Sequence, residues 1–279
     1  MRIRKEGLSQ SDKGVATTVG TIMALLVFLS ILSLITQQYV PVWMEDKEAY
    51  HMDEAMGQFS DLKSTIDNLI MNSYSDYPMY SSFALGSEGI PLFASQTGGI
   101  MRLEPTSGGM TFNFTSGSRE ISFSGGGGLS LDVRNRYFEP QTIVYENGAI
   151  LLEQNEKAVI RAPAPLRIDR EGDNYSVSIV ITEIIGDETR IGGTGNVGII
   201  SELWNSDKKT YTDSNNNLNN VQLTIDTQYV NAYANWLKNN TDASNINKDV
   251  DANQITIDLG NTVSDITVTY STLQMKIST

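Results

Sequence analysis

Few residues in this chain have the types and spacing that metal binding requires. Asp249, Asp251 and Asn253 begin like a calcium-binding loop. Such a loop needs glycine at its sixth position and glutamate at its twelfth, where this chain has Gln254 and Gly260. We therefore interpret the stretch as a solvated acidic turn, with a calcium site of another geometry as the alternative.

Two glycine-rich stretches have the composition of phosphate-binding loops. Residues 193–198 match the spacing G-x-G-x-x-G, which brings backbone amides to a pyrophosphate at the start of a helix. No repeated strand–helix–strand pattern surrounds them, so the sequence favours a turn between strands. Residues 125–128 are four consecutive glycines without the Gly-Lys-Ser/Thr end of a P-loop, and we predict a flexible turn there.

The candidates for acid–base chemistry are equally isolated. His51 is the only histidine, and one imidazole cannot form a His-rich metal site or a triad without partners, so we predict a solvent-facing helical residue. Glu139 and Glu146 could serve as paired carboxylates, but no pattern brings them together. We expect a protein that is not an enzyme and that needs neither a metal nor a cofactor, so a surface hydrolase is disfavoured.

The composition excludes further classes of function. The formal net charge of −13 leaves no basic face for neutralising phosphates, so nucleic acid is not an expected partner. The chain has no cysteine, which excludes disulfides and thiolate nucleophiles. Its 279 residues suffice for one large or two small domains with a hydrophobic core.

The strongest signal is an uncharged run at residues 15–37, which supplies the roughly 20 apolar residues that a membrane-spanning helix needs. The charged residues that flank this run are Arg2, Arg4, Lys5 and Lys13 before it and Glu45 and Asp46 after it. By the positive-inside rule, the N-terminus is expected in the cytoplasm and the rest of the chain outside the cell. No small-residue cleavage site follows the run, whereas Tyr39 and Trp43 suit an interfacial aromatic belt, so we expect a retained helix.

The residues just before this run have a more specific pattern. Lys13 and Gly14 are followed at once by Val15 and the apolar helix. This arrangement resembles the class III signal peptide of archaeal type IV pilins and archaellins, in which a membrane peptidase cuts directly after the glycine. The resemblance implies removal of residues 1–14, a mature N-terminus at Val15, and three kinds of partner: prepilin peptidase, the pilus assembly platform with its ATPase, and other pilin-like subunits.

The leader departs from the bacterial form of this pattern. Val15 and Val19 stand where bacterial major pilins commonly carry phenylalanine and glutamate, while archaeal members often lack both. The alternative interpretation is an uncleaved signal anchor, in which Lys13 and Gly14 are only a positive flank and a small residue.

Beyond the apolar run, apolar residues recur every three or four positions, which indicates an amphipathic continuation of the helix. They are Met52, Ala55, Met56, Phe59, Leu62, Ile66, Leu69 and Ile70. A single helix over residues 15–73 would be close to 90 Å long at about 1.5 Å per residue, with a kink predicted at Pro41. This two-part helix also resembles a type IV pilin subunit.

The rest of the chain has the alternation and turn residues of a mainly antiparallel, sandwich-like sheet. We predict strands at residues 109–114, 120–123, 129–133, 141–145, 149–153, 158–161, 176–184, 221–225, 254–259 and 264–277. Asn147 and Gly148 predict a type I′ hairpin. Residues 228–238 predict a short helix with Val230, Tyr233, Ala234 and Leu237 on one face. The polar residues 205–220 predict an exposed loop. The expected fold class is therefore α+β.

Two further features agree with an extracellular location. Residues 135–154 resemble the β-rich ectodomain of archaeal pilin-like surface proteins whose function is undefined. Asn113, Asn174 and Asn239 lie in N-glycosylation triplets, which matter only outside the cell.

These patterns divide the chain into a leader (1–14), a hydrophobic transmembrane or filament-core helix (15–43), a helical stalk (44–77) and a β-rich extracellular domain (78–279). The function that the resemblance implies is a pilin-like subunit, major or minor, that polymerises through its helix and serves adhesion or surface contact. The alternative is a single-pass membrane-anchored ectodomain that binds a surface partner without polymerising.

Overall fold

The fold begins with one continuous helical rod. A computed structural model describes residues 8–73, 77–213 and 218–278, with side chains from residue 15 onward. Helix α1 (Leu8–Leu34), a π-helical turn (Ile35–Tyr39) and helix α2 (Val40–Asn72) follow one another directly, so the predicted continuous helix is confirmed. Pro41 lies in the first turn of α2, and because proline offers no N–H to the preceding turn, the wider π-helical turn accommodates it.

The helix ends at a defined residue. Ser73 adopts the left-handed conformation, with φ at 51°, and its N–H reaches the carbonyls of Leu69 and Ile70. This geometry satisfies two carbonyls of the last turn and redirects the chain. This end agrees with the helix predicted over residues 15–73, and residues 74–76 lie outside the described part of the chain.

The remainder is a sheet with one short helix. Among the described residues its strands are β1 (Met79–Ala84), β2 (Gly99–Ser116), β3 (Arg119–Val133), β4 (Gln141–Glu146), β5 (Ala149–Gln154), β6 (Lys157–Ala162), β7 (Leu166–Glu171), β8 (Asn174–Ile185), β9 (Thr189–Gly193), β10 (Asn196–Thr212), β11 (Leu218–Asp226), β12 (Ile246–Asp249), β13 (Gln254–Gly260) and β14 (Val263–Ser278). Helix α3 (Val230–Asn240) follows β11.

The sheet runs in the order β1-β10-β14-β8-β3-β2-β11-β13-β12, and β4, β5 and β6 extend from β3. β7 adds to β8 and β9 adds to β2. All ladders are antiparallel except the pairing of β8 with β14 and a single parallel bridge between β3 and β8. The predicted α+β class, with a long N-terminal helix, a mainly antiparallel β-rich domain and one short C-terminal helix, is confirmed.

Two hydrophobic cores share the long strands. In β2, Met101 and Leu103 face the core around α2, whereas Phe112 and Phe114 face the core around α3. The switch between faces follows a register shift between Glu104 and Gly109, because extra residues in a strand reverse the alternation of its side chains. One strand therefore contributes to both cores.

The α2 core is built on the predicted apolar stripe. Met52, Ala55, Phe59, Leu62, Ile66, Leu69 and Ile70 are all buried. Phe59 meets Phe83 of β1 edge to face, with ring centroids 5.1 Å apart. Burying large apolar side chains at about 25 cal/mol per Å² makes this stripe the main attachment of the helix to the sheet.

The β4–β5 hairpin lies between the two cores. Ile143 and Tyr145 face the α2 core and Val144 faces the α3 core, so successive residues of β4 are buried on both sides. The turn has Asn147 at φ 49° and Gly148 at φ 74°, which confirms the predicted type I′ geometry. In α3, the predicted face of Val230, Tyr233, Ala234 and Leu237 is buried.

Two predicted irregular segments are strands. Residues 125–128 are not a flexible turn: they lie inside β3, which joins the two short strands predicted at 120–123 and 129–133. The predicted loop at 205–220 is wrong for 205–212, which continue β10, and for 218–220, which begin β11, while residues 214–217 lie outside the described part. The sequence patterns also missed β1, β7, β9, β12 and the first part of β10, residues 196–204.

Close backbone approach explains the glycine run. A Cβ added at Gly125 would lie 2.7 Å from the Thr182 carbonyl oxygen, and one at Gly126 would lie 2.5 Å from the Gly108 carbonyl oxygen. These distances leave no space for a side chain. The glycines therefore allow the backbone of β3 to lie close to the backbones of β8 and β2.

We predict that Gly125→Ala destabilises the protein by about 2–3 kcal/mol, because its Cβ overpacks against backbone atoms. The matched control is Gly57→Ala in α2, where nothing lies within 4 Å of the added Cβ. That change should stabilise the protein by about 1 kcal/mol through helix propensity. Urea unfolding of the full chain in nanodiscs measures both changes in the free energy of unfolding. Equal effects of the two substitutions would contradict the close backbone approach at Gly125.

Candidate functional site: the apolar helix and its junction with the sheet

Helix α1 stands free of the β domain. Its large apolar side chains are 47–62% exposed on all sides of the helix. They are Val15, Val19, Ile22, Met23, Leu25, Leu26, Val27, Phe28, Leu29, Ile31 and Leu34. The most apolar window of the rod has a mean hydropathy of 2.4 and none of it is buried, so this helix is long and apolar enough to cross a membrane. A soluble core helix would instead be covered by the protein.

Polar side chains of this segment bond within the helix. Thr21 Oγ1 donates to the carbonyls of Thr17 and Thr18, and Ser30 Oγ donates to the carbonyl of Leu26 at 2.7 Å. Thr36 Oγ1 reaches the Leu32 carbonyl at 2.8 Å. Since an unpaired polar group in hydrocarbon costs several kcal/mol, these bonds make the helix compatible with a lipid surrounding.

The helix changes its surroundings within one turn. Tyr39 and Trp43 are about half exposed, with ring centroids 5.9 Å apart, at the end of the apolar run. Val40 and Met44, on another face of the same turn, are buried against the β domain. The rod is therefore exposed on all sides before residue 40 and covered on one side after it.

Glu48 fixes this junction. Its side chain is fully buried, and its carboxylate accepts hydrogen bonds from Thr97 Oγ1 at 2.5 Å and from the backbone N–H groups of Arg136, Tyr137 and Phe138 at 2.7–3.1 Å. Three consecutive N–H groups form a concave anion site in the segment between β3 and β4. The carboxylate of α2 thus binds the β domain through its backbone.

Burial alone would raise the pKa of the Glu48 carboxyl. The hydrogen bonds from Thr97, Phe138, Arg136 and Tyr137 together outweigh this effect and hold the pKa below its usual value. The group is therefore ionised in the folded protein at neutral pH. Glu48 was not identified as a functional residue from the sequence. Its spacing of four residues from both Met44 and Met52 places it on the buried stripe, and this spacing could have indicated its burial.

His51 was predicted to face solvent, and this is wrong: only 4% of the residue is exposed. Its Nε2 lies 3.0 Å from the Ala84 carbonyl oxygen, so Nε2 carries the proton of this hydrogen bond. Gln58 Oε1 accepts from the Ala84 N–H at 3.1 Å. Because His51 lies three residues after Glu48, it shares the helix face that packs on the β domain.

The predicted processing residues lie at the start of the rod. Lys13 and Gly14 belong to α1, and their side chains, like residues 1–7 of the leader, lie outside the described part. Val15 is 61% exposed. The structure does not test cleavage.

The predicted glycosylation residues lie in three separate places. Asn174 at the start of β8 and Asn239 in the last turn of α3 are exposed. Asn113 is half-buried in the middle of β2, paired across the sheet with Ser122 and Gln222. The first two are therefore the accessible acceptors in the folded domain.

The candidates for acid–base and phosphate chemistry do not converge. Glu139 is exposed, whereas Glu146 is 4% exposed at the end of β4, so they form no pair. Of residues 193–198, only Thr194 and Gly195 form the turn between β9 and β10, and the others belong to these strands. Residues 250–253 form the predicted turn between β12 and β13. Where the structure describes the chain, no three His, Asp or Glu side chains form a group that could hold a metal ion.

Glu146 differs electrostatically from Glu48. Desolvation by burial raises the pKa of its carboxyl to about 7, although a hydrogen bond from Thr227 Oγ1 lowers it in part. Glu48 has several N–H donors, while Glu146 has only this hydroxyl among the described residues. The number of donors therefore decides which buried carboxylate stays ionised.

Replacing Glu48 with Gln should destabilise the protein by about 3 kcal/mol at pH 7, because an amide cannot accept from three N–H groups as a carboxylate does. Urea unfolding is the measurement, with the exposed Glu54→Gln as the control on the same helix. Because the pKa of the Glu48 carboxyl is lowered in the folded protein, its contribution to the free energy of unfolding is present above the usual pKa and is lost as the pH falls. The free energies of unfolding of Glu48→Gln and Glu54→Gln should therefore converge in acid. Equal stabilities at pH 7 would contradict this role.

For Glu146 the sign is reversed. A raised pKa means that the folded protein binds a proton that the unfolded chain releases between about pH 4.5 and 7, so stability falls as pH rises through this range. The difference in the free energy of unfolding between Glu146→Gln and the wild type should therefore shift by about 2–3 kcal/mol in favour of the variant from pH 5 to pH 8. Unfolding at the two pH values tests this, with exposed Glu139→Gln expected to show no such gain.

Comparison with other proteins places the β domain in a family. Neither curated proteins nor solved structures give a match to the chain. A family described as a family of unknown function (DUF7289) matches residues 137–276. The match begins in the segment that holds Glu48 and ends at Lys276 in β14, without the helical rod. Because it covers 140 of the 279 residues, just over half, the chain belongs to the DUF7289 family.

Proposed function

We propose that this chain is a pilin-like subunit that carries its β domain on the outside of the cell and assembles through α1 into a surface filament. The observation that supports the proposal is the division of one rod between two surroundings. α1 is apolar and exposed on all sides, whereas α2 is attached to the β domain by its apolar stripe and by Glu48. A helix of this kind can leave a bilayer only if its apolar surface finds another cover.

In the proposed mechanism, a prepilin peptidase removes residues 1–14 and leaves the apolar helix at the new N-terminus. The assembly platform and its ATPase then transfer the helix from the bilayer into a bundle of equivalent helices. Each buried Å² of apolar surface contributes about 25 cal/mol, so such a bundle is cohesive in water. The β domains coat or cap the filament, and the chain acts through position and contact instead of catalysis.

A second candidate function is a membrane-anchored ectodomain that never polymerises. The half-exposed pair of Tyr39 and Trp43 favours it, because aromatic belts hold helices at a membrane–water interface. Both candidates place the N-terminus in the cytoplasm and the β domain outside, in agreement with the charges that flank the helix. They differ in where the mature protein is found.

The mature N-terminus tests the leader. Mass spectrometry of the protein from cells with an active prepilin peptidase should find an N-terminal peptide that begins at Val15. Gly14→Val should abolish this peptide, since the peptidase cuts after the glycine, while Gly20→Val inside the helix should leave it unchanged. A wild-type peptide that retains residues 1–14 would contradict processing.

The sheared extracellular fraction separates the two candidates. A filament subunit should appear there after mechanical shearing, and the Gly14→Val variant should remain with the membranes. A processed protein found only in membranes would support the anchored ectodomain and contradict polymerisation.

A further inference from the structure

A polar cleft of about 400 Å³ lies on the face of the sheet opposite the α2 core. Arg102 of β2 is opposite Ser130 of β3, and Asp132 of β3 is opposite Thr142 of β4. Because alternate residues point to opposite faces, the neighbours of these residues fill the core while these polar side chains line the cleft. Its volume falls within the range of small-molecule sites.

One buried side chain reaches into this cleft. Glu146 Oε1 accepts from Thr227 Oγ1, while Oε2 makes no hydrogen bond to any described residue and faces Gly108, which also lines the cleft. A Cβ at Gly108 would lie 3.1 Å from Oε2, so the glycine keeps this oxygen accessible. A free acceptor on a residue that is 96% buried is a specific position for a ligand donor.

The charges of the lining restrict the ligand. Arg102 Nη2 lies 3.4 Å from Asp132 Oδ2, and Glu104 and Glu153 add carboxylates nearby. An anion would meet the acidic side chains of Glu104, Glu146 and Glu153, while the one guanidinium of the lining, that of Arg102, is already paired with Asp132. A neutral ligand whose hydroxyl groups both donate and accept hydrogen bonds satisfies both kinds of group.

A second cavity of about 310 Å³ adjoins the cleft, and the two share Gln228 and Tyr229 in their walls. Asn231, Asn235 and Val159 also line the second cavity, together with one charged residue of each sign, Glu156 and Lys157. The Tyr229 hydroxyl donates to Glu153 Oε2 at 3.0 Å, which fixes the ring between the two cavities. A ligand that occupies both must be longer than one compact group.

We propose that this cleft binds a neutral oligosaccharide, with Glu146 Oε2 accepting from one sugar hydroxyl and Gln228 contacting the chain as it passes between the two cavities. Carboxylate and amide side chains supply directional hydrogen bonds, and Val159, which is 51% exposed, supplies apolar surface for a sugar face. This inference does not depend on polymerisation: it holds for a filament subunit and for a membrane-anchored ectodomain.

The test uses the labelled full chain in nanodiscs on an array of neutral, sulfated, uronic-acid and amino-sugar oligosaccharides, and of short peptides. We expect neutral oligosaccharides to bind and trisaccharides to bind more tightly than the corresponding monosaccharides. Binding of only acidic glycans, only amino sugars or only peptides would overturn the proposal, as would the lack of any neutral ligand at millimolar concentration.

Titration calorimetry with the tightest neutral ligand then tests the position of the site. At pH 8, where the Glu146 carboxyl with its pKa of about 7 is mostly ionised, Glu146→Gln and Gln228→Ala should each weaken binding about five- to tenfold, because a carboxylate is the stronger acceptor and Gln228 is shared by both cavities. Glu120→Gln, an exposed glutamate in β3 outside the cleft, should leave the affinity unchanged. Gln228 is exposed, so its variant keeps the test valid if Glu146→Gln does not fold, and unchanged affinity in Gln228→Ala would overturn the proposal.

Discussion

The structure depends on how a single helix passes between two surroundings. An apolar helix exposed on all sides and a helix covered on one side have different sequence requirements, and the chain meets both without a break in the backbone. The change takes place between Tyr39 and Glu48. In this segment the aromatic residues Tyr39 and Trp43 are exposed, whereas Val40, Met44 and Glu48 are buried. The β domain is held on the rod by α2, because none of the described side chains of α1 belongs to either core.

Glu48 shows why apolar packing is not sufficient at this point. A stripe of aliphatic residues holds a helix against a sheet, but it tolerates sliding and rotation, since its contacts have no direction. A buried carboxylate bound by three consecutive N–H groups has one geometry. Together with His51 and Gln58 on the Ala84 backbone, it sets the axial position and rotation of α2. The directional bonds thus specify the arrangement that the hydrophobic contacts stabilise.

The sequence could predict what local patterns determine. The rod, the apolar stripe of α2, the Asn147–Gly148 turn and the buried face of α3 each follow from spacing within a few turns or residues. The four glycines of β3 could not be recognised as strand residues, because their role is the close approach of other backbone segments, among them β8 from a distant part of the chain. Polar residues of β10 looked like a loop for a related reason: a strand near the sheet edge can be exposed on most of its length. Glu48 and His51 were missed because burial of a polar residue depends on its partners.

The last strand of the chain has a mechanical consequence. β14 is paired along nearly its whole length, antiparallel to β10 and for most of it parallel to β8, and its final residues pack in the core beneath α2. A pull directed along this strand loads many hydrogen bonds at once, whereas a pull across the sheet would open them one after another. Tension along β14 is therefore shared by the ladders to β10 and β8, so this part of the sheet resists shear.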